Sequence, residues 1–122
     1  MPEIPAGRQL IQSYGGGRFR IAERSYDGSV LVFVERTVPW PVVDASGLAL
    51  EDLDTVLAET PGIELLFIGC GPTFIDEPPG LRKKLRERGI ALEWMTTSAA
   101  CGTFNILLAE DRRMAAALVA VG

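Results

Sequence analysis

Polar and apolar positions alternate in the first third of the chain and take helical spacing further on. Arg18-Phe19-Arg20-Ile21 alternates with period two, as a half-buried strand does. Leu10 to Tyr14 reads as a short strand before it. Gly15-Gly16-Gly17 lies between them. Three glycines can cradle a phosphate, but that motif needs a helix immediately after it, and a strand pattern follows instead. A flexible turn is the reading. Val30 to Val34, VLVFV, is a continuous β-branched and aromatic run, the mark of a strand buried on both faces. Asp27-Gly28 just before it is a strong hairpin signal. The pattern therefore pairs Phe19–Glu23 with Ser29–Glu35 as an antiparallel hairpin. Val38-Pro39-Trp40-Pro41-Val42 is extended, because each proline restrains the residue before it. Trp40 either anchors a partner or covers one end of the core. Ser46 is a candidate cap for a helix whose inner face is Leu50, Leu53, Val56 and Leu57, ended by Pro61-Gly62.

The second half alternates strand and helix. Ile63 to Gly69 is a buried-type strand that runs into the turn Cys70-Gly71-Pro72-Thr73. Leu81 to Arg88, LRKKLRER, is a basic helix with Leu81 and Leu85 turned inward, ended by Gly89. Ile90–Met95 is the next strand. Thr96, Thr97 and Ser98 then break the pattern, with Thr97 or Ser98 as the N-cap. Cys101, Phe104, Leu107 and Leu108 share one helical face. Met114 to Val121 remains open, because its alanines favour helix and its closing LVAV favours strand. Strands and helices joined this way imply parallel strands with crossover helices. The fold class is α/β: a single layered domain over residues 1–122 with a mixed central sheet. An N-terminal antiparallel hairpin is followed by β-α-β-α-β, and residues 1–9 form a loose arm.

Composition narrows the chemistry. The net charge of −4 disfavours nucleic-acid binding. No apolar run approaches the roughly 18 residues of a membrane span. MPEIPAGRQ has no export pattern, so a cytoplasmic location is expected. Two cysteines are too few for a disulfide framework. The chain has no histidine, which excludes Ser-His-Asp and Cys-His catalysis and imidazole-ligated zinc. No cofactor motif and no metal set emerges.

The one candidate site lies at the two strand-to-helix junctions. If strands 63–69 and 90–95 are parallel neighbours, their carboxyl ends open on one edge, where open α/β sheets bind ligands. Cys70 and Gly71 come from the first junction; Thr97, Ala100, Cys101, Thr103 and Asn105 come from the second. A thiol in a helix's first turn can have its pKa lowered from about 8.5 towards roughly 7. Backbone donors at Ala99–Gly102 could hold an anion. Asp76 and Glu93 are base candidates by sequence position alone. The competing reading makes Cys101 a small buried hydrophobe and Asn105 a tie to a neighbouring loop.

These residues also carry a resemblance. ELLFIGCGP and TTSAACGTFNILLAEDR, with IQSYGGGRFRI, YDGSVLV and Trp40 upstream, resemble a small conserved domain family over about residues 10–119. That family includes mitochondrial respiratory complex I assembly factor 3 and uncharacterised bacterial proteins. The resemblance implies a compact layered α/β fold with Met114–Val119 as a closing strand. Its signature positions fall on Ala100, Cys101, Thr103, Asn105, Glu110 and Arg112. Phe104 stands where tyrosine is usual, Cys70 where threonine is more common, and Asp111 where glycine is. The family brings no catalytic activity to transfer. The expected function is a non-catalytic interaction or assembly module with protein partners, serving respiratory complex assembly. Its docking patch is expected around Trp40. The alternative is a small-molecule or anion-binding protein, or an enzyme, at the Cys70/Cys101 crevice.

Overall fold

The computed structural model describes residues 4–122. Strands β1 (Ile11–Gly15), β2 (Arg18–Ile21) and β3 (Arg24–Asp27) form a three-stranded antiparallel meander. Strands β4 (Val30–Phe33), β5 (Thr37–Pro39), β6 (Leu65–Gly69), β7 (Ala91–Met95) and β8 (Met114–Leu118) form a mixed sheet of order β5-β4-β8-β6-β7. A 3-10 turn at Leu50–Leu53 leads into α1 (Asp54–Leu57); α2 (Leu81–Glu87) and α3 (Thr97–Leu107) complete the fold.

Two expectations hold closely. β6 and β7 are parallel neighbours in register, Leu65 opposite Ala91 and Gly69 opposite Met95. Residues 114–118 are a strand, as the resemblance implied. β8 lies between β4 and β6, antiparallel to one and parallel to the other. Ala115, Ala116 and Ala117 are all fully buried. Alanine's helical preference is worth a few tenths of a kcal/mol per residue. A central sheet position with ladder bonds on both sides outweighs it.

The N-terminal hairpin forms differently from the expected one. β2 pairs with β3 and β1, whereas β4 pairs with β5 and β8. The reversal after β2 occurs at Ala22-Glu23, both with positive φ (49° and 68°). Two-residue hairpin turns need that backbone, which glycine and asparagine usually supply. Here Gln12 holds Glu23 in place, accepting from its amide at 2.7 Å and donating to its carboxylate at 2.6 Å. Asp27-Gly28 then carries the chain from one sheet to the other.

Alternation along the strands sorts the core into two layers. Leu66 and Ile68 of β6 pack with Trp40, Leu53, Val56, Leu81 and Leu85 on one face of the large sheet. Phe67 packs on the other face with Phe104 and Cys101 of α3 and with Phe19 and Ile21 of the meander. Thus α2 covers one face, while α3 and the meander cover the other. Trp40 is 4% exposed and its indole N–H donates to the Asp52 carbonyl at 2.8 Å, so it covers core and is not an exposed anchor. Ser46 does not cap the helical segment; its N-cap is Ala49, whose amide donates to the Asp52 carboxylate at 2.8 Å. Of the expected loose arm, residues 1–3 lie outside the described residues. Arg8 and Gln9 are tied down: the Gln9 amide bonds the Val34 carbonyl at 2.9 Å and Arg8 bonds the Leu108 carbonyl at 2.7 Å.

Candidate functional site

β6 leads to α2 on one face of the sheet, and β7 leads to α3 on the other. Neighbouring strands whose connections leave in opposite directions make a switch point, the usual ligand crevice of an open α/β sheet. The junctions singled out in the sequence are therefore in the right topological place. What fills the place is Thr97.

Thr97 is fully buried. Its hydroxyl donates to the Val119 carbonyl at 2.8 Å and accepts from the Gly71 amide at 3.1 Å. Its own amide bonds the Gly71 carbonyl at 3.0 Å. One side chain thus stitches the ends of β6, β8 and α3 together across the crevice. Gly69 makes this approach feasible, because a Cβ there would stand 2.7 Å from the Thr97 Cα. The N-cap is Thr96, one residue before the expected pair; its hydroxyl accepts from the Ala99 amide at 3.3 Å. The amides of Thr97, Ala99 and Ala100 are all bonded within the protein.

The two thiols do not meet. Cys70 belongs to the α2-side core and donates to the Thr73 carbonyl at 3.6 Å; Cys101 belongs to the α3-side core. Both are buried, at 5% and 2% exposure. Because the helix starts at Thr97, Cys101 sits in its second turn and points into the core. Burial pushes its thiol up to about 12, the reverse of the expected lowering. Ala100 is fully buried beside it. The Thr103 hydroxyl donates back to the Ala99 carbonyl at 2.9 Å.

Asn105 follows its packing reading. Its amide oxygen accepts from the Ile11 N–H at 2.9 Å and its amide nitrogen donates to the Ile11 carbonyl at 2.8 Å. The carboxamide pairs with Ile11 as a neighbouring strand would, pinning β1 to α3. Tyr14 of β1 adds a hydroxyl contact to Ser98 at 2.7 Å.

A separate cleft of about 360 Å³ opens at the opposite end of the parallel strands. Phe33, Ile63 and Met114 line its apolar part, and Arg8, Arg36, Arg112 and Arg113 stand around it. Each arginine has a carboxylate partner: Asp111 for Arg8, Glu59 for Arg36, Glu110 for Arg112 and Glu64 for Arg113. The Arg36 guanidinium also lies 4.2 Å over the Phe33 ring. Residue patterns did not predict this cleft, since it gathers residues from four separate segments. The resemblance singled out Glu110, Asp111 and Arg112 of its lining, but nothing in the sequence joined them to the other segments. Among the described residues no group of three or more Cys, Asp or Glu is placed to hold a metal ion. No helix among them is long and apolar enough to cross a membrane.

Residues 11–119 match the family described as "Protein of unknown function (DUF498/DUF598)". The chain belongs to this family. An uncharacterised protein of Rhodobacter capsulatus is 36% identical over 114 residues, covering 93% of this chain and 86% of that protein. NADH dehydrogenase [ubiquinone] 1 alpha subcomplex assembly factor 3 of Xenopus tropicalis is 33% identical over 110 residues. That alignment covers 90% of this chain but 60% of the assembly factor, so the DUF498/DUF598 domain is a part of the longer protein. A crystal structure described as an outer membrane protein from Bartonella henselae superposes with a TM-score of 0.85 at 40% identity, over 98% of this chain and all of that one. The family includes complex I assembly factors and proteins without assigned function.

Proposed function

We propose that this DUF498/DUF598 chain is a non-catalytic interaction module that assists assembly of a respiratory complex. The observation that carries this reading is the relation to assembly factor 3 along 90% of the chain. Three features of the site support it. The switch-point crevice is occupied by Thr97 and the backbone it bonds. Cys101 is held as a neutral thiol. The chain has no histidine to serve as a base near neutral pH. The competing ligand or enzyme site at Cys70 and Cys101 has less support, because its two sulfurs lie in separate core layers. Crosslinking followed by affinity capture of the tagged chain from its native cells tests the assembly role. The capture is expected to recover respiratory complex I subunits or their assembly proteins. Recovery of neither, together with undiminished complex I on native gels after gene deletion, removes the proposal.

A further inference from the structure

The layer that covers one face of the large sheet is split by charge. Lys83, Lys84, Arg86 and Arg88 of α2 and its C-terminus are exposed, and none of them forms an ion pair among the described residues. Beside α2 in the same layer, the 3-10 turn and α1 expose Glu51, Asp52 and Asp54, again without an ion pair. Most of the other basic side chains behave differently, exposed Arg24 excepted. Arg8, Arg18, Arg20, Arg36, Arg82, Arg112 and Arg113 each hold a carboxylate within the chain. A mainly basic strip, interrupted by Glu87, thus lies beside an acidic strip, and neither is neutralised by an ion pair among the described residues. The loops of this same layer also carry Val43, 86% exposed, and Phe74, 59% exposed.

A strip of one sign beside a strip of the other is complementary to its own copy turned by a two-fold rotation. In an isologous contact the basic helix of each copy meets the acidic segment of the other, so every attraction occurs twice. Charge strips set register and encounter rate, whereas apolar side chains supply most of the affinity. Val43 and Phe74, whose chain neighbours Val42 and Ile75 pack against the core of this layer, are the exposed apolar side chains available for that second role. A specific pair needs about 1,000 Å² of buried surface in total, hence about 500 Å² from each copy. That is a small share of the 6621 Å² accessible on this chain. From this geometry we infer that the chain pairs with a second copy of itself through the α2/α1 layer. The inference goes beyond the assembly role and does not depend on it.

A charge exchange in the full chain decides the matter. At about 20 mM salt, where screening reaches only beyond about 20 Å, the wild type is expected to sediment as a dimer. At about 500 mM, with a screening length of about 4 Å, its dissociation constant is expected to rise at least about tenfold. Lys83→Glu/Lys84→Glu makes the basic strip acidic, and Glu51→Lys/Asp54→Lys makes the acidic strip basic. Each double variant alone is expected to be monomeric with an unchanged far-ultraviolet dichroism spectrum. Mixed in equal amounts, they restore both contacts and are expected to form a one-to-one dimer. A wild type that is monomeric at low salt and high concentration overturns the inference. So does a mixture that stays monomeric, or double variants that still dimerise alone. If the monomeric wild type instead binds poly-glutamate through Lys83 and Lys84, α2 serves an acidic partner and the self-pairing is refuted.

Discussion

At the scale of single residues, Cys101 shows how one helical turn reverses a chemical expectation. A thiol in the first turn of α3 would face free amides and the positive end of the helix dipole. In the second turn it faces Phe104, Phe67 and the meander. The folded protein therefore keeps the thiol protonated up to a pKa of about 12, against an ordinary value of 9.0. Between those two values the unfolded chain has released the proton and the folded chain still holds it. Unfolding is then favoured as pH rises, so this group's contribution to stability is intact below about pH 9 and is lost on the way to about pH 12. The limiting slope is about 1.4 kcal/mol per pH unit for one proton. Urea titrations of wild type and Cys101→Ala at pH 8, 9 and 10 are expected to converge as pH rises, because the variant lacks this linked proton. A gap that stays constant over that range would show that Cys101 titrates normally.

Asn105 matters most at the scale of elements. The meander has three short strands and touches α3 through Ile11, Phe19 and Ile21. The carboxamide of Asn105 fixes its first strand by two hydrogen bonds to one residue. Asn105→Ala leaves the part-buried Ile11 amide and carbonyl unpaired, which costs about 1–3 kcal/mol. Asn105→Asp keeps an acceptor for the Ile11 amide but sets a carboxylate oxygen against the Ile11 carbonyl. Both variants are expected to speed amide exchange in Ile11–Gly15 and Arg18–Ile21 far more than in β6 or β8. Uniform loss of protection across both sheets would mean that the meander and the large sheet unfold as one unit. The sequence was informative here to a degree. It placed Asn105 on the edge of a helix and offered a loop tie as one role. It could not name Ile11, 94 positions away, as the partner.

For the whole molecule, the decisive element is β8. Its alanines let α3 lie close to the sheet on one side while the Trp40 and Leu53 cluster lies close on the other. Ala116→Leu adds three carbons on the α3 side, where Ala116 has no exposed surface. Overpacking of this kind costs about 1–3 kcal/mol. The urea midpoint is expected to fall with little change in m-value. As a control, Ile106→Ala on the outer face of α3, where Ile106 is 75% exposed, is expected to change stability by no more than about 0.5 kcal/mol. A midpoint unchanged by Ala116→Leu would mean that the layers have room to separate.

What could be determined from the residue order alone was the set of local elements and their class. Period-two alternation marked β2, continuous apolar runs marked β4 and β6, and i, i+4 leucines oriented α2. Strand-helix alternation implied the parallel β6/β7 pair. Missing histidine removed whole classes of catalysis. Those inferences rest on backbone geometry and side-chain type, which act within a few residues. Three outcomes lay beyond that range: which strand joins which, which side of the sheet each helix covers, and whether the switch point stays open. β2 paired with β3 because a non-glycine turn at Ala22-Glu23 is held by Gln12. The two cysteines parted because Cys70, just after β6, packs on the α2 side of the sheet and Cys101, within α3, packs on the other. The crevice closed because Gly69 lets Thr97 approach. Each outcome depends on contacts between residues more than ten positions apart, and only the folded chain brings those residues together.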